Sequence, residues 1–388
     1  MNLSHLVQSI PPSPTLEITA KVNAKKEAGE NVISFGAGQP DFDTPDNIKE
    51  AAHKAMLDGF TKYTAATGIT PLKQAAANQI ENSLGLKYET SQLIIGNGAK
   101  QVLATAIMAC CNPGDEVIIP SPYWVSYPEM AKMAGAKPVF VSLEAPTFDL
   151  DINALEKAIN PRTRAIIINS PSNPTGRVFS EESLAELAEL VIKHQIWAIT
   201  DEVYDFLVYG ENRHHSIATV NPEIKKQTLV VNAVSKKYSM TGWRIGYGAG
   251  PKDLIGAMGR IQGHYTSNPN SIAQKGALEA LNGDQSSVEI MVRAFTERRN
   301  YIVKRLGKMP GIKLEEPQGA FYVFPYIGDI ESDDFGFCND LLEEQGVALV
   351  PGSAFGAPGY VRISFATSLE EIAEGMDRME EFLKDREG

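Results

Sequence analysis

Asn232-Ala233-Val234-Ser235-Lys236-Lys237-Tyr238-Ser239-Met240-Thr241-Gly242-Trp243-Arg244-Ile245-Gly246-Tyr247 is a polar, glycine-containing connection between two apolar runs. Thr228–Val231 delivers the chain to it, and Ile245–Ala249 carries the chain away. Both runs have the length and composition of buried strands. The connection holds two lysines, a serine and an arginine. Open α/β sheets place their chemistry in loops at strand ends, so this loop is a candidate site. A basic surface loop is the simpler reading of any lone lysine in such a place.

A lysine can form a Schiff base with a carbonyl, while serine and arginine suit a phosphate. The cofactor that needs all three is pyridoxal 5′-phosphate (PLP). The run Ser235-Lys236-x-x-Ser239-Met240-Thr241-Gly242-Trp243-Arg244-Ile245-Gly246 resembles the PLP-lysine signature of class I aminotransferases, with Lys236 at the lysine position. Val234 also fits. Ala233 stands where that family usually has Gly or Ser, and Lys237 occupies a position the pattern leaves free. The resemblance extends over nearly the whole chain. It implies the type I PLP-dependent transferase fold: an α/β large domain with a mostly parallel seven-stranded sheet, beside a smaller α+β domain.

Composition sets outer bounds. At 388 residues the chain is long for one domain, and two domains sharing one site are expected. A hydrophobic share of 43% with 22% charged residues is that of a globular protein in water. A net charge of −12 without a basic block disfavours nucleic acid as a partner. Cys110, Cys111 and Cys338 give no disulfide framework, which fits a reducing compartment. His214-His215 lies in a polar loop and reads as solvated, so no metal site is expected. The N-terminus does not read as a signal peptide, and the apolar run Val102–Cys111 is about half a membrane span. A cytoplasmic protein without membrane partners is the expectation.

Along the chain, Pro11-Pro12-Ser13-Pro14 predicts an extended arm, followed by a helix over Leu16–Glu27 and a strand at Val32–Phe35. Gly36-Ala37-Gly38 is followed by prolines rather than a third glycine opening a helix, so a dinucleotide fingerprint fails. Gly246-Tyr247-Gly248 fails for the same reason. Strands are expected at Leu93–Gly96, Glu116–Pro120, Pro138–Leu143, Arg164–Asn169, Ile196–Thr200, Thr228–Asn232 and Ile245–Ala249. Helical periodicity lies between several of them, most clearly over Ser180–His194, where Ser180 can cap and Leu184, Leu187, Leu190 and Val191 share a face. Such alternation predicts a mostly parallel sheet covered on both faces. A helix-rich stretch, Ser271–Leu306, precedes strands at Ala320–Phe324 and Val361–Phe365. The last helix opens at Ser368-x-x-Glu371 and turns Leu369, Ile372, Met376 and Met379 inward. The boundaries expected are 1–45 for the arm and part of the small domain, 46–290 for the PLP-binding domain, and 291–388 for the small C-terminal domain.

PLP chemistry makes five demands, and each has a candidate. Lys236 is the covalent lysine, and its amine, once displaced, is suited to move a proton. Lys237 reads instead as a solvated charge. Asp201, ending the apolar run from Ile196, resembles the family's acid opposite the pyridine nitrogen. Such an acid can also be a helix cap. Tyr204 resembles the residue that bonds the cofactor's phenolic oxygen, and Asn173, in Asn173-Pro174-Thr175-Gly176, resembles the second donor to that oxygen. A plain β-turn is the alternative for the latter. A cis peptide before Pro174 or Pro122 would suit the site.

Gly98 and Ala99, in Gly96-Asn97-Gly98-Ala99-Lys100, join a strand to a helix and resemble the phosphate cradle, with Ser235 and Arg244 completing it. Tyr63 resembles the tyrosine that reaches the phosphate from the neighbouring subunit, which implies a homodimer with shared active sites. A surface aromatic is its alternative reading. Trp124 resembles the aromatic that stacks on the ring, and core packing is compatible with that role. Arg362, flanked by apolar residues, suits an α-carboxylate, and Gly38 resembles the family's backbone contact to the same group.

For a side-chain carboxylate, Gln262–Asn270 offers no Arg or Lys. Lys100 and Thr15 match instead the subgroup of aspartate and glutamate/aspartate–prephenate aminotransferases. The resemblance thus implies transfer of an amino group between aspartate and 2-oxoglutarate, with prephenate as a further acceptor. The substrates would be small amino acids and 2-oxo acids. A PLP lyase acting at Cβ of a sulfur amino acid would share Lys236, Asp201 and Arg362 without needing Lys100. A regulator built on the same body would need a DNA-binding domain for which 388 residues leave no room.

Overall fold

The computed structural model describes residues 3–384 and 386. Its largest sheet has seven strands, which run from edge to edge as Leu93–Gly96, Gly246–Ala249, Thr228–Ala233, Trp197–Asp201, Thr163–Asn169, Glu116–Ser121 and Lys137–Ser142. Gly246–Ala249 runs opposite to the other six. All seven expected strands form, each within a residue or so of its expected ends.

The sheet is buried on both faces, and the side-chain alternation shows how. Ala165 and Ile167 pack on one side with Val102, Leu103 and Met258, from the helices Ala99–Cys110 and Lys252–Tyr265. Ile166 and Ile168 pack on the other with Leu184, Leu187 and Val191 from the helix Glu181–His194. Ser180 caps that last helix by accepting from the Ser183 amide. A two-residue period within one strand thus feeds two separate cores.

The remaining strands build a second assembly. Ile33–Ser34 pairs in parallel with Val347–Ala348, so the chain's beginning is stitched to its end. Val350–Pro351, Val361–Ser364 and Tyr322–Val323 form an antiparallel three-stranded sheet. Phe35, Phe295, Phe321, Ile363, Ile372 and Met376 share its core. The expected strand over Ala320–Phe324 shrinks to Tyr322–Val323, because Ala320 takes a left-handed φ of 57° and Pro325 removes a donor.

The N-terminal expectation is corrected in detail. Pro14 does not extend the arm but opens the helix Pro14–Glu27, where its fixed φ suits the first helical position. Ser368 caps the final helix, Leu369–Lys384, through the Glu371 amide, while the Glu371 carboxylate turns to Thr367. Ile372, Met376 and Met379 are buried, whereas Leu369 stays partly open at the helix start. Among the described residues no helix is long and apolar enough to cross a membrane.

The final helix should hold the smaller assembly through its apolar face. Ile372→Ala is expected to destabilise the protein by about 2–4 kcal/mol, since a fully buried side chain is replaced by a void. Urea unfolding, compared with Leu369→Ala as the partly exposed control, reads the difference.

Candidate active site

The parallel strands end side by side, and their last residues face a common cavity of about 320 Å³. That volume is at the lower end of small-molecule sites. Lining it are Thr15, Gly38, Ala99, Lys100, Trp124, Asn173, Asp201, Tyr204, Ser235, Lys236, Arg244 and Arg362, twelve of the fourteen residues singled out from sequence. Gly98 sits immediately behind as the N-cap of the helix Ala99–Cys110. Tyr63 is the exception: it is 89% exposed and does not line this cavity.

Asp201 closes its strand with a buried carboxylate. Tyr127 donates its hydroxyl to Oδ2 at 2.8 Å, while Oδ1 is buried with no hydrogen-bond partner. Burial pushes the carboxyl up to about 6, against the Tyr127 hydroxyl and the Val203 amide, which favour the ionised form. An unpartnered buried carboxylate oxygen fits a protonated ring nitrogen.

Lys236 lies in the one-turn helix Val234–Lys237 that follows Ala233, and its Nζ donates to the Gly38 carbonyl. Burial lowers its pKa to about 8, helped by Arg244, Arg362 and Lys100 and opposed by Asp201. That leaves about a tenth of the amine uncharged at pH 7, far more than an ordinary lysine offers, and suits a nucleophile and proton carrier.

Arg244 adopts a left-handed φ of 58° and donates to the Thr241 carbonyl at 2.8 Å. This turns the guanidinium against the loop before the helix Ala99–Cys110. A Cβ on Gly98, whose φ is +80°, would collide with that guanidinium, and one on Gly246 would strike the Gly98–Ala99 backbone. The two glycines are therefore what permit the loop and the arginine to close on one another. No side chain caps the helix, which leaves its first amides free for an anion.

Arg362 is buried and donates from Nη1 to Asn173 Oδ1 at 3.0 Å and from Nη2 to the Gly36 carbonyl at 2.7 Å. Its Nε is buried without a partner. Because Asn173 presents its oxygen to Arg362, its amide NH2 is left as the donor toward the cavity. Asn169 holds this loop in place, accepting from the Asn173 amide at 2.8 Å and donating to the Asp201 carbonyl at 2.9 Å. The peptides before Pro122 and Pro174 are both cis. Lys100 places its Nζ 4.8 Å above the Trp124 ring, and Trp124 meets Tyr127 edge to face.

Two expectations are corrected. His214 is not solvated: its Nε2 lies 3.0 Å from buried Glu202, which also accepts from Ser216 and Thr200. Burial opposes its charging, but Glu202 and Asp205 hold His214 above the ordinary range. Lys237 is also partly buried rather than free in water, and burial lowers its pKa. Tyr127 and Tyr322 are site residues that the sequence reading missed. Tyr127 stands three residues after Trp124, a helical spacing that could have been noticed; for Tyr322 there was no local signal.

Comparison with known proteins agrees with this geometry. The family described as "Aminotransferase class I and II" matches residues 30–379. The chain is 48% identical to an aspartate aminotransferase of Geobacillus stearothermophilus, with 100% of both chains covered. It is 47% identical to an aspartate/prephenate aminotransferase of Cereibacter sphaeroides, covering 98% of each. The structure of the Thermus thermophilus aspartate aminotransferase with maleate superposes with a TM-score of 0.95 at 40% identity, covering 98% of this chain and 99% of that one. The protein therefore belongs to the class I and II aminotransferases, PLP enzymes that move amino groups between amino acids and 2-oxo acids.

Proposed function

We propose that this enzyme is an aspartate aminotransferase, exchanging the amino group between L-aspartate and 2-oxoglutarate. What carries the reading is one cavity holding a lysine of lowered pKa, a carboxylate with a free oxygen, and two further cations, Arg362 and Lys100, one for each carboxylate of a dicarboxylate. Relatives named aspartate aminotransferase support it.

The residues fit PLP. Asp201 Oδ1 would take the ring nitrogen, and Trp124 would cover the ring. Tyr204 and the Asn173 amide would hold the phenolic oxygen. Ser235, Arg244 and the amides after Gly98 would hold the phosphate. Bound at Lys236, the cofactor supplies a sink for the electron pair left on the amino acid's α-carbon. Arg362 clamps the α-carboxylate beside Gly38, and Lys100 meets the side-chain carboxylate. Lys236 Nζ, freed as an amine, is the base that would take the α-proton and hold it for return. Prephenate is a second acceptor in this reading: Thr15 and Lys100 both line the cavity, and several relatives are named for aspartate and prephenate together.

We also read the active unit as a homodimer in which Tyr63 reaches its partner's phosphate, a reading supported by the exposure of Tyr63. The division at 290/291 is supported by packing: Val288 belongs to a core against the large sheet, while Met291 and Phe295 belong to the core of the smaller one. A cytoplasmic location agrees with three free cysteines.

Adding L-aspartate without an acceptor should replace the visible absorbance of the loaded enzyme by the near-ultraviolet band of the amino form of the cofactor. Lys236→Ala should lose at least ~10³-fold in turnover with an unchanged circular dichroism spectrum. Retained turnover would remove Lys236 from the chemistry.

Lys100→Met should lower kcat/KM for aspartate by roughly tenfold or more while sparing alanine, which lacks the second carboxylate. Steady-state kinetics on both donors tests this.

A pH dependence follows from Asp201. Its folded pKa of about 6 exceeds the ordinary 3.8, so the ionised form destabilises the cofactor-free fold above pH 6, by roughly 3 kcal/mol. That penalty fades as pH falls through 6 and vanishes below 4. Cofactor-free Asp201→Asn should therefore melt above the cofactor-free wild type at pH 7.5, with the gap closing near pH 4. In the loaded enzyme the order should reverse.

A further inference from the structure

Tyr322 belongs to the short strand Tyr322–Val323, which pairs antiparallel with Val361–Ser364. Its cross-strand partner is Ser364, two residues beyond Arg362 and on the same face of that strand. The diagonal neighbour of Tyr322 on this face is therefore Arg362, within reach of a long aromatic side chain. The ring does make that contact: the guanidinium carbon lies 4.5 Å from its centroid, and the Phe355 ring is 4.9 Å from the same carbon. At the other end of the side chain, the Tyr322 hydroxyl lies 2.8 Å from the Tyr204 hydroxyl. A Cβ placed on Gly38 would come within 3.0 Å of the same oxygen. Tyr322 is fully buried and lines the cavity. One side chain thus touches the arginine of the carboxylate site, the tyrosine of the phenolic-oxygen site, and the segment whose carbonyl accepts from Lys236.

We propose that Tyr322 is a positioning residue that donates its hydroxyl proton to Tyr204 and braces Arg362 with its ring, so tying the cofactor-oxygen site to the substrate-carboxylate site. This rests on the PLP reading above. The direction of the hydrogen bond follows from counting protons. Each phenol has one, and either hydroxyl can donate to the other. When the proton of Tyr204 is directed at the phenolic oxygen, Tyr204 can only accept from Tyr322. Accepting that bond polarises the Tyr204 hydroxyl and strengthens its own donation, the cooperative effect of chained hydrogen bonds. The bond therefore favours negative charge on the phenolic oxygen. The ring works separately, restricting the guanidinium through a cation–π contact so that it meets a carboxylate in a fixed plane.

The two halves of the side chain can be separated. Tyr322→Phe keeps the ring and removes the donor. In the PLP-loaded variant, the pH midpoint of the visible absorbance should rise by about half a unit, with kcat reduced about fivefold. The dissociation constant of a non-reacting C4 dicarboxylate such as maleate should stay within about twofold of wild type. Tyr322→Leu removes both parts, so it should show the same midpoint shift and weaken maleate roughly tenfold. In a Tyr204→Phe background, Tyr322→Phe should move the midpoint no further, because its route to the cofactor is gone.

A midpoint unchanged in Tyr322→Phe, or an equal shift in the Tyr204→Phe background, would reduce Tyr322 to packing. Should Tyr322→Phe not fold, Gly38→Ala reads the same bond, since its methyl group would press within 3.0 Å of the Tyr322 hydroxyl, and an unmoved midpoint there overturns the proposal. A wild-type protein that shows no visible band with added PLP would sink the cofactor reading itself. That result is distinct from a loaded variant whose midpoint stays put.

Discussion

Four cationic side chains, Lys236, Arg244, Arg362 and Lys100, line one cavity against the single carboxylate of Asp201. Burial and mutual repulsion act together there. Burial, then Arg244 and Arg362, pull Lys236 down to about 8, while burial and Arg244 lower Lys100. The protein offsets the excess with dipoles rather than charges. Lys236 leans on the Gly38 carbonyl, Arg244 on that of Thr241, and Arg362 on that of Gly36. Anionic guests are what such a space favours: a phosphate at one end and carboxylates at the other. The same imbalance that would attract them also raises the lysine's share of free amine.

Holding that many charges out of water requires a rigid support, and the sheet supplies it. Both faces are buried, so strand ends cannot drift without disturbing two cores. Asn169 and Asp201 are cross-strand partners, and their side-chain and backbone bonds bind the Asn173 loop to the acid. Behind Asp201, the next residue points the other way, and Glu202 is anchored by His214, Ser216 and Thr200. A strand end fixed on both sides keeps the free Asp201 oxygen aimed into the cavity. The second assembly brings Arg362 and Tyr322 from across the cleft, on adjacent strands of one small sheet.

Much of the site was legible along the chain because its parts are local. The loop around Lys236, the strand-end Asp201 with Tyr204, the turn at Asn173 and the glycine loop before Lys100 each lie within one short segment. Together with the segments of Thr15, Gly38, Trp124 and Arg362, and through the family resemblance they carry, they named twelve residues that line one cavity. Reading failed where a side chain's surroundings come from elsewhere. His214 looked like a loop histidine because Glu202, twelve residues earlier, could not be seen beneath it. Pro14 looked like an arm residue because proline serves an extended segment and a first helical turn equally well. Tyr63 is not such a case: it was expected to serve a neighbouring subunit's site, and it lies outside this chain's own cavity.

The sequence by itself determined the strands and helices, through apolar periodicity, and the chemical identity of each strand-end loop. Those features depend on neighbouring residues, which the linear order preserves. Only the tertiary structure decided the pairings that make the loops one site. Tyr127 meets Asp201 across 74 residues, Tyr204 meets Tyr322 across 118, and Arg362 meets Gly36 across 326. These contacts depend on strand register and on how two separately built cores come together. Neither is written in any one segment, because each is set by packing that involves all of them.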